Sequence, residues 1–282
     1  MTGPKGARET LLVVAYAAAA VVTLAFLALP IVAVFAHTSP GELVDQLSNP
    51  VVKDAFVVSL KTSAIAQVLI LLFGTPTAFL LASRRFRGHS LAITLVELPL
   101  VLPPAVAGIG LLAAFGRVGL LGSSLSALGI TLPFTQAAVT IAVAYVASPL
   151  YIRQAIAVFE ATDPNLAAAS RTLGAGPART FFRVVLPLAR GGLIAGLALS
   201  FARGLGEFGA TIMFAGSLQK VTQTVPLAIY AQFDQDFDAT LAMSGILILF
   251  SALLLAGLHI GLTWQRSTST GSTSLFGLSS SS

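Results

Sequence analysis

The chain has no cysteine, and that removes three chemistries at once: a disulfide framework, a thiol nucleophile and a thiolate metal site. It is also poor in charge. Only 10% of its 282 residues are Asp, Glu, Lys or Arg, against roughly a quarter in a soluble domain. Its three histidines, His37, His89 and His259, stand far apart and form no HExxH-type ligand pair, so no metal centre is expected. None of its four lysines lies in a GxxxxGKS/T phosphate loop, which excludes ATP binding by that route. Acids are missing altogether between Asp163 and Glu207. What fills the chain instead is apolar: 56% of its residues are hydrophobic and its mean hydropathy is +0.90. Such a composition belongs in a bilayer.

Six apolar spans are expected, at about 11–35, 55–82, 91–115, 134–158, 188–212 and 239–264. The first follows Lys5 and Arg8, but its run from Leu11 to Ala36 is far longer than a secretory h-region of roughly 7–15 residues. Residues 1–50 therefore read as a transmembrane helix and an outer loop, and 51–265 as a transmembrane domain. The Ser/Thr/Gly-rich stretch 266–282 reads as a disordered tail. Gly74 and Pro76 interrupt the second span, and Pro99, Pro103 and Pro104 the third. Breaks of this kind persist in a membrane where neighbouring helices or a cavity satisfy the freed backbone groups. They fit either packing kinks or a bundle around a pathway.

Charge asymmetry orients the chain. One set of connections holds Lys5, Arg8, Arg84, Arg85, Arg87, Arg153, Arg171, Arg179, Arg183, Arg190 and Arg266; the other holds Lys53, Arg117 and Lys220. The excess of cations marks the cytoplasmic face. Both termini fall on that side, and Glu42, Asp45, Asp54, Asp234, Asp236 and Asp238 fall outside.

The stretch "AAASRTLGAGPARTFFRVVLPLA" (167–189) has an organisation that topology alone does not require. Asp163 is suited to cap a helix that Pro164 begins. Gly174 is suited to the position after its end. Gly176 and Pro177 start a second helix, and Pro187 marks its junction with the fifth span. The first helix presents Ala167, Ala168 and Ala169. The second presents Arg179 and Arg183 one turn apart, with Phe181 and Phe182 beside them. Capped helices bearing exposed alanines and phenylalanines read as a docking surface.

The stretch resembles the cytoplasmic loop of permease subunits of bacterial ABC importers, whose pattern is Glu-Ala-Ala, three residues, Gly, nine residues, an aliphatic, one residue and Leu-Pro. Gly174, Val184, Leu186 and Pro187 match in register, and Ala168, Ala169 and Ser170 stand at the Glu-Ala-Ala positions, so the glutamate is absent. "LPLVLPPAVAGIGLL" (98–112) resembles the third span of oxyanion importers. Gly206 to Thr211 and Thr222 to Tyr230 resemble runs of the molybdate-type permeases. The resemblance covers about 50–265. It implies an all-α type I importer permease fold. It implies that loop 163–187 couples to a cytoplasmic ATPase through Ala168, Ala169, Ser170, Gly174, Arg179, Arg183, Val184, Leu186 and Pro187. It further implies two ATPase subunits, a second and identical permease copy, and an external oxyanion-binding protein. ATP and Mg are bound by the partner ATPase and no cofactor by this chain; no nucleic acid is expected.

Pro103, Pro104, Arg203, Glu207 and Thr211 are the candidates for the translocation path. Arg203 and Glu207 lie one turn apart, which fits an intrahelical pair. The sharper reading turns Arg203 toward the path, where its charge attracts a divalent oxyanion. Thr211, Ser217 and Thr222 can donate to a tetraoxyanion or bond back to their own helix. An intramembrane enzyme is disfavoured, because Glu97 and Glu207, the acids within the spans, lie toward opposite faces. A sulfate, thiosulfate or tungstate importer is the nearer alternative; a passive channel or scaffold needs no coupling loop. The orientation is testable, since any introduced cysteine is unique. Cysteines at Ser170 and Arg85 should react with an impermeant thiol reagent from the cytoplasmic side only, and one at Asp236 from outside only.

Overall fold

The computed structural model describes residues 4–270, with side chains for 9–257. All the regular structure among the described residues is helical: α1 (Pro4–Ala36), α2 (Pro40–Ser48), α3 (Pro50–Leu69), α4 (Thr75–Ser83), α5 (His89–Val101), α6 (Pro104–Phe115), α7 (Gly122–Ala127), α8 (Gln136–Glu160), α9 (Pro164–Thr172), α10 (Pro177–Thr180), α11 (Leu186–Leu205), α12 (Gly209–Ala215), α13 (Val225–Gln232) and α14 (Phe237–Thr270). Local chemistry explains many of the starts. Asn49 caps α3 by accepting from the Val51 N–H at 3.0 Å, and Ser39 and Glu42 form a reciprocal capping box at α2. Proline stands in the first turn of α2, α3, α6, α9 and α10, where its missing N–H costs nothing.

Five helices are long and apolar enough to cross a membrane: Glu9–Ala36, Pro50–Ser83, Gln136–Glu160, Pro177–Leu205 and Phe237–Gly257. Three expectations need correction. Gly74 and Pro76 do not break the second span, because a π-helical stretch, Ile70–Gly74, carries the helix through. The third expected span is α5 and α6 bent by 117° at Leu102–Pro103. The fifth stops at Leu205 and restarts at Gly209, so 188–212 is not one helix. α14 stays helical past Arg266; residues 271–282, the rest of the expected tail, lie outside the described residues.

The two π-helical stretches share a cause. Ile70–Gly74 precedes Pro76, and Phe181–Val185 precedes Pro187, each proline two residues beyond the stretch. A proline ring collides with the carbonyl four residues back. The wider turn moves that carbonyl away, and the Leu186 N–H reaches back five residues to the Phe181 carbonyl. Both stretches pack on α8, where Gly74 lets the second span approach Tyr151 and the Thr75 and Tyr151 hydroxyls meet at 2.7 Å.

α8 is the central post. One apolar cluster surrounds its first half (Val139, Val143, Ala107, Ala210, Phe214), and another its second half (Tyr151, Phe159, Ile70, Val185, Leu193). α11 lies against it along a ridge of small residues one turn apart, Gly192, Gly196, Ser200 and Gly204. A Cβ on Gly196 would stand 2.9 Å from the Gln154 side chain, one on Gly204 2.8 Å from Val143, and one on Gly192 would overlap Val158. Ser200 donates to the Ala147 carbonyl of α8 at 2.9 Å. Lipid tails are as apolar as leucine, so close backbone approach and such bonds supply much of the attraction between helices in a bilayer. Gly196→Leu should therefore cost about 1–3 kcal/mol and lower the melting temperature of the detergent-solubilised protein. Gly110→Leu, which meets open space, should leave it unchanged.

Candidate functional site: a basic loop and two broken helices

The segment 163–187 folds as capped units. Asp163 accepts from the Asn165 N–H at 2.9 Å. At the other end of α9, Gly174 takes φ +82°, its N–H bonds to the Arg171 carbonyl (2.9 Å), and the Ala175 N–H bonds to the Ser170 carbonyl (3.1 Å). That paired pattern closes a helix end on a left-handed residue. The Ser170 and Thr180 hydroxyls, 3.2 Å apart, clamp α9 to α10. α10 then runs through Phe181–Val185 into α11, so the expected junction at Pro187 is a continuous helix from Pro177 to Leu205.

Ala168, Ala169, Arg171, Arg179, Phe182, Arg183 and Pro187 are exposed; Ser170, Val184 and Leu186 are half-buried. Arg171, Arg179 and Arg183 form no ion pair among the described residues. Two expectations fail. Ala167 turns inward onto the second core cluster. Phe181 is not part of the outer face, since its ring packs at 4.7 Å on Phe79 of α4 and at 6.3 Å on Phe159 of α8. Those rings root the loop in the bundle. Two further pairs brace the same end, Arg85–Glu160 at 3.7 Å and Arg153–Glu97 at 3.4 Å. Glu97 thus pairs with a cation on α8. All four side chains are more than a third exposed, so these contacts position more than they stabilise.

The second locus is where the two broken helices meet. Gly209, opening α12, lies so close to α6 that a Cβ there would stand 2.8 Å from Pro104 Cβ; one on Gly108 would stand 2.6 Å from the Ala210 carbonyl oxygen. Pro103 and Pro104 are exposed, Arg203 is about one third exposed, and Glu207 and Thr211 are buried. Arg203 Nη1 meets Glu207 Oε2 at 2.9 Å. The pairing is as expected but the setting is not, because Glu207 lies in the gap between α11 and α12. Its other oxygen, Oε1, accepts from the Ala210 N–H at 2.8 Å. Phe208, at the N-cap position, offers no side-chain acceptor, so Glu207 supplies one from a residue earlier. A buried carboxylate needs this double satisfaction.

Of the two alternatives for Thr211, Ser217 and Thr222, the bond back to the own helix is made by none of them. Ser217 accepts from Gln223, Thr222 accepts from the Leu218 N–H at 2.9 Å, and Thr211 has no partner. Residue spacing reveals the Arg203–Glu207 pair but not the gap. The signals that mark the gap are Gly206 and Gly209 on either side of Glu207–Phe208.

Gly174→Pro should strain the loop by about 1–3 kcal/mol and open 163–187 to proteolysis. Arg179→Glu with Arg183→Glu, both exposed, should leave folding and protease resistance unchanged.

Comparisons with known proteins agree with this architecture. Residues 70–265 match the family model described as "Binding-protein-dependent transport system inner membrane component". The molybdenum transport system permease protein ModB of Mycobacterium tuberculosis is 41% identical over 238 residues, covering 84% of this chain and 90% of that one. The sulfate transport system permease protein CysT of Salmonella typhimurium is 36% identical over 216 residues, covering 76% and 78%. Among solved structures, a bacterial alginate ABC transporter in complex with an alginate pentasaccharide-bound periplasmic protein superposes with a TM-score of 0.65 at 16% identity, over 90% of this chain and 93% of that one. At that identity the likeness concerns the fold alone.

Proposed function

The chain belongs to the family of binding-protein-dependent transport system inner membrane components, and from that membership we propose that it is the permease subunit through which an ATP-driven importer passes molybdate into the cell. Membership makes it a multi-pass inner-membrane component of an ABC importer, a transport subunit and not a catalyst. The substrate is the finer step. It is supported by the molybdenum permeases, 41% identical over most of both chains, and by the runs Gly206–Thr211 and Thr222–Tyr230. The sulfate permease relatives, at 36%, favour sulfate as the second reading.

The observation that carries the coupling role is the build of 163–187. A loop that passes on force must be stiff within itself, joined to what it moves, and open toward what pushes it. The Ser170–Thr180 clamp and the Gly174 closure stiffen it, and the unbroken helix from Pro177 joins it to α11. Ala168, Ala169, Arg179 and Arg183 face outward. In this reading the loop seats in a cleft of a cytoplasmic ATPase, which supplies ATP and Mg. Two permease copies enclose the route, two ATPases drive it, and an external binding protein delivers the anion. Ala168 stands where relatives with the full pattern carry glutamate, so docking relies on the arginines and small residues.

The route itself passes the paired breaks. Pro103 and Pro104 present the turn of one helix, and Arg203 presents positive charge at the end of the other. Conduction needs attraction weak enough for release. An arginine already held by Glu207 meets that requirement.

Proteoliposomes holding this chain with its ATPase and binding protein should accumulate labelled molybdate when ATP is on the ATPase side, with sulfate in large excess competing poorly. Equal uptake of sulfate would assign the chain to the sulfate branch. The Arg179→Glu, Arg183→Glu double variant should insert normally yet lose co-purifying ATPase and transport-coupled ATP hydrolysis. If uptake and ATPase binding both survive in it and in Gly174→Pro, the loop is not the coupling element.

A further inference from the structure

The gap between α11 and α12 holds an unusual balance of satisfied and unsatisfied groups. Several helical threonines elsewhere in this chain donate to the carbonyl four residues earlier: Thr62 to Val58, Thr94 to Ser90, Thr140 to Gln136, Thr240 to Asp236. Thr211 is fully buried on a helix, yet its hydroxyl has no partner. The residue four positions earlier is Glu207, which lies outside α12. The gap has therefore taken away the acceptor that a continuous helix would supply. A buried polar atom without a partner is costly, and it marks a place where a second arrangement is nearly as good as the first.

The other groups at the gap fit the same two arrangements. In this one, the Glu207 carboxylate is fully engaged, by Arg203 on one oxygen and by the Ala210 N–H on the other. In a continuous helix the Glu207 carbonyl would accept from the Thr211 hydroxyl, the Ala210 N–H would find a backbone acceptor, and the carboxylate would lose its capping task. The surroundings leave room on one side. Gly206 and Phe208 line a cleft of about 370 Å³ shared with Pro226, Ile229 and Tyr230, while Gly209 is tight against Pro104 on the other. Arg203 keeps about a third of its side chain open while Glu207 keeps none, so an anion arriving at the pair meets the guanidinium first.

We infer that Glu207 is a displaceable counter-ion: the translocating oxyanion takes Arg203 from it, and the freed carboxylate lets α11 and α12 close into one helix. This rests on the reading that Arg203 lines the route. A dianion with tetrahedral oxygens offers the guanidinium the same paired acceptors as a carboxylate. Glu207 then retakes Arg203 and expels the anion, so the arginine attracts without trapping. Glu207 is thus a positioning group, for Arg203 and for the start of α12, and does not itself touch the anion.

The test measures labelled molybdate retained by the importer, purified in detergent with the subunits that accompany it and without the binding protein. Wild type should retain little. Glu207→Gln keeps an acceptor for Ala210 but gives up the charge; it should retain about tenfold more at equal concentration while uptake in proteoliposomes slows. Adding Arg203→Gln should return retention to the wild-type level. If Arg203→Gln alone leaves uptake untouched, the route reading itself is wrong. If it slows uptake but Glu207→Gln retains no more than wild type, the route stands and the counter-ion role is overturned. Thr211→Val matches the shape and removes the unpartnered hydroxyl. It should hold or raise the melting temperature yet slow uptake several-fold, and unchanged uptake would overturn the helix closure even if Glu207→Gln fails to reach the membrane.

Discussion

No water is at hand in the hydrocarbon of a bilayer to bond a loose N–H or C=O, so each departure from a regular helix must be satisfied from within the protein. That constraint organises this chain more than any single contact. Where proline would break the second and fifth spans, the backbone widens into π-helical turns and keeps its bonds. Where α12 starts afresh, a carboxylate from the gap supplies the acceptor that its N-cap phenylalanine cannot. Among the buried side chains described at the gap, the Thr211 hydroxyl is left without a partner.

Most of the architecture was legible because hydropathy reports directly on the solvent. Spans one, two, four and six fall where apolar runs place them, within a few residues at most ends. The caps at Asp163 and Gly174 were legible too, because a short acceptor before Pro164 and a glycine after the last turn each have a local physical reason. Proline was the misleading letter. Pro76 and Pro187 suggested breaks that neighbouring wide turns absorb, whereas the sharp fold at Pro103 exceeds what a kinked span suggests. The stop at Leu205 was hidden because 188–212 is mostly apolar, and the two charges beside the stop, Arg203 and Glu207, pair with one another. Spacing brings Arg203 and Glu207 together on a helix and equally well across a gap, since four residues span both.

The burial of Phe181 was hidden for a different reason. Phe181 and Phe182 are adjacent and chemically identical, so composition cannot say which one faces the core. Which of them turns inward depends on the rings that α4 and α8 place beside the loop. The core takes Phe181 against Phe79 and Phe159 and leaves Phe182 on the outer face beside Arg179 and Arg183.

The ridge on α11 has a mechanical consequence. Val158, Gln154 and Val143 of α8 sit in the notches left by Gly192, Gly196 and Gly204. Sliding one helix along the other would require each notch to be vacated, and the next lies a full turn away, about 5.4 Å. α11 is therefore held in register on α8. It is one rod from Pro177 to Leu205, with the basic loop at one end and the gap that holds Glu207 just beyond the other.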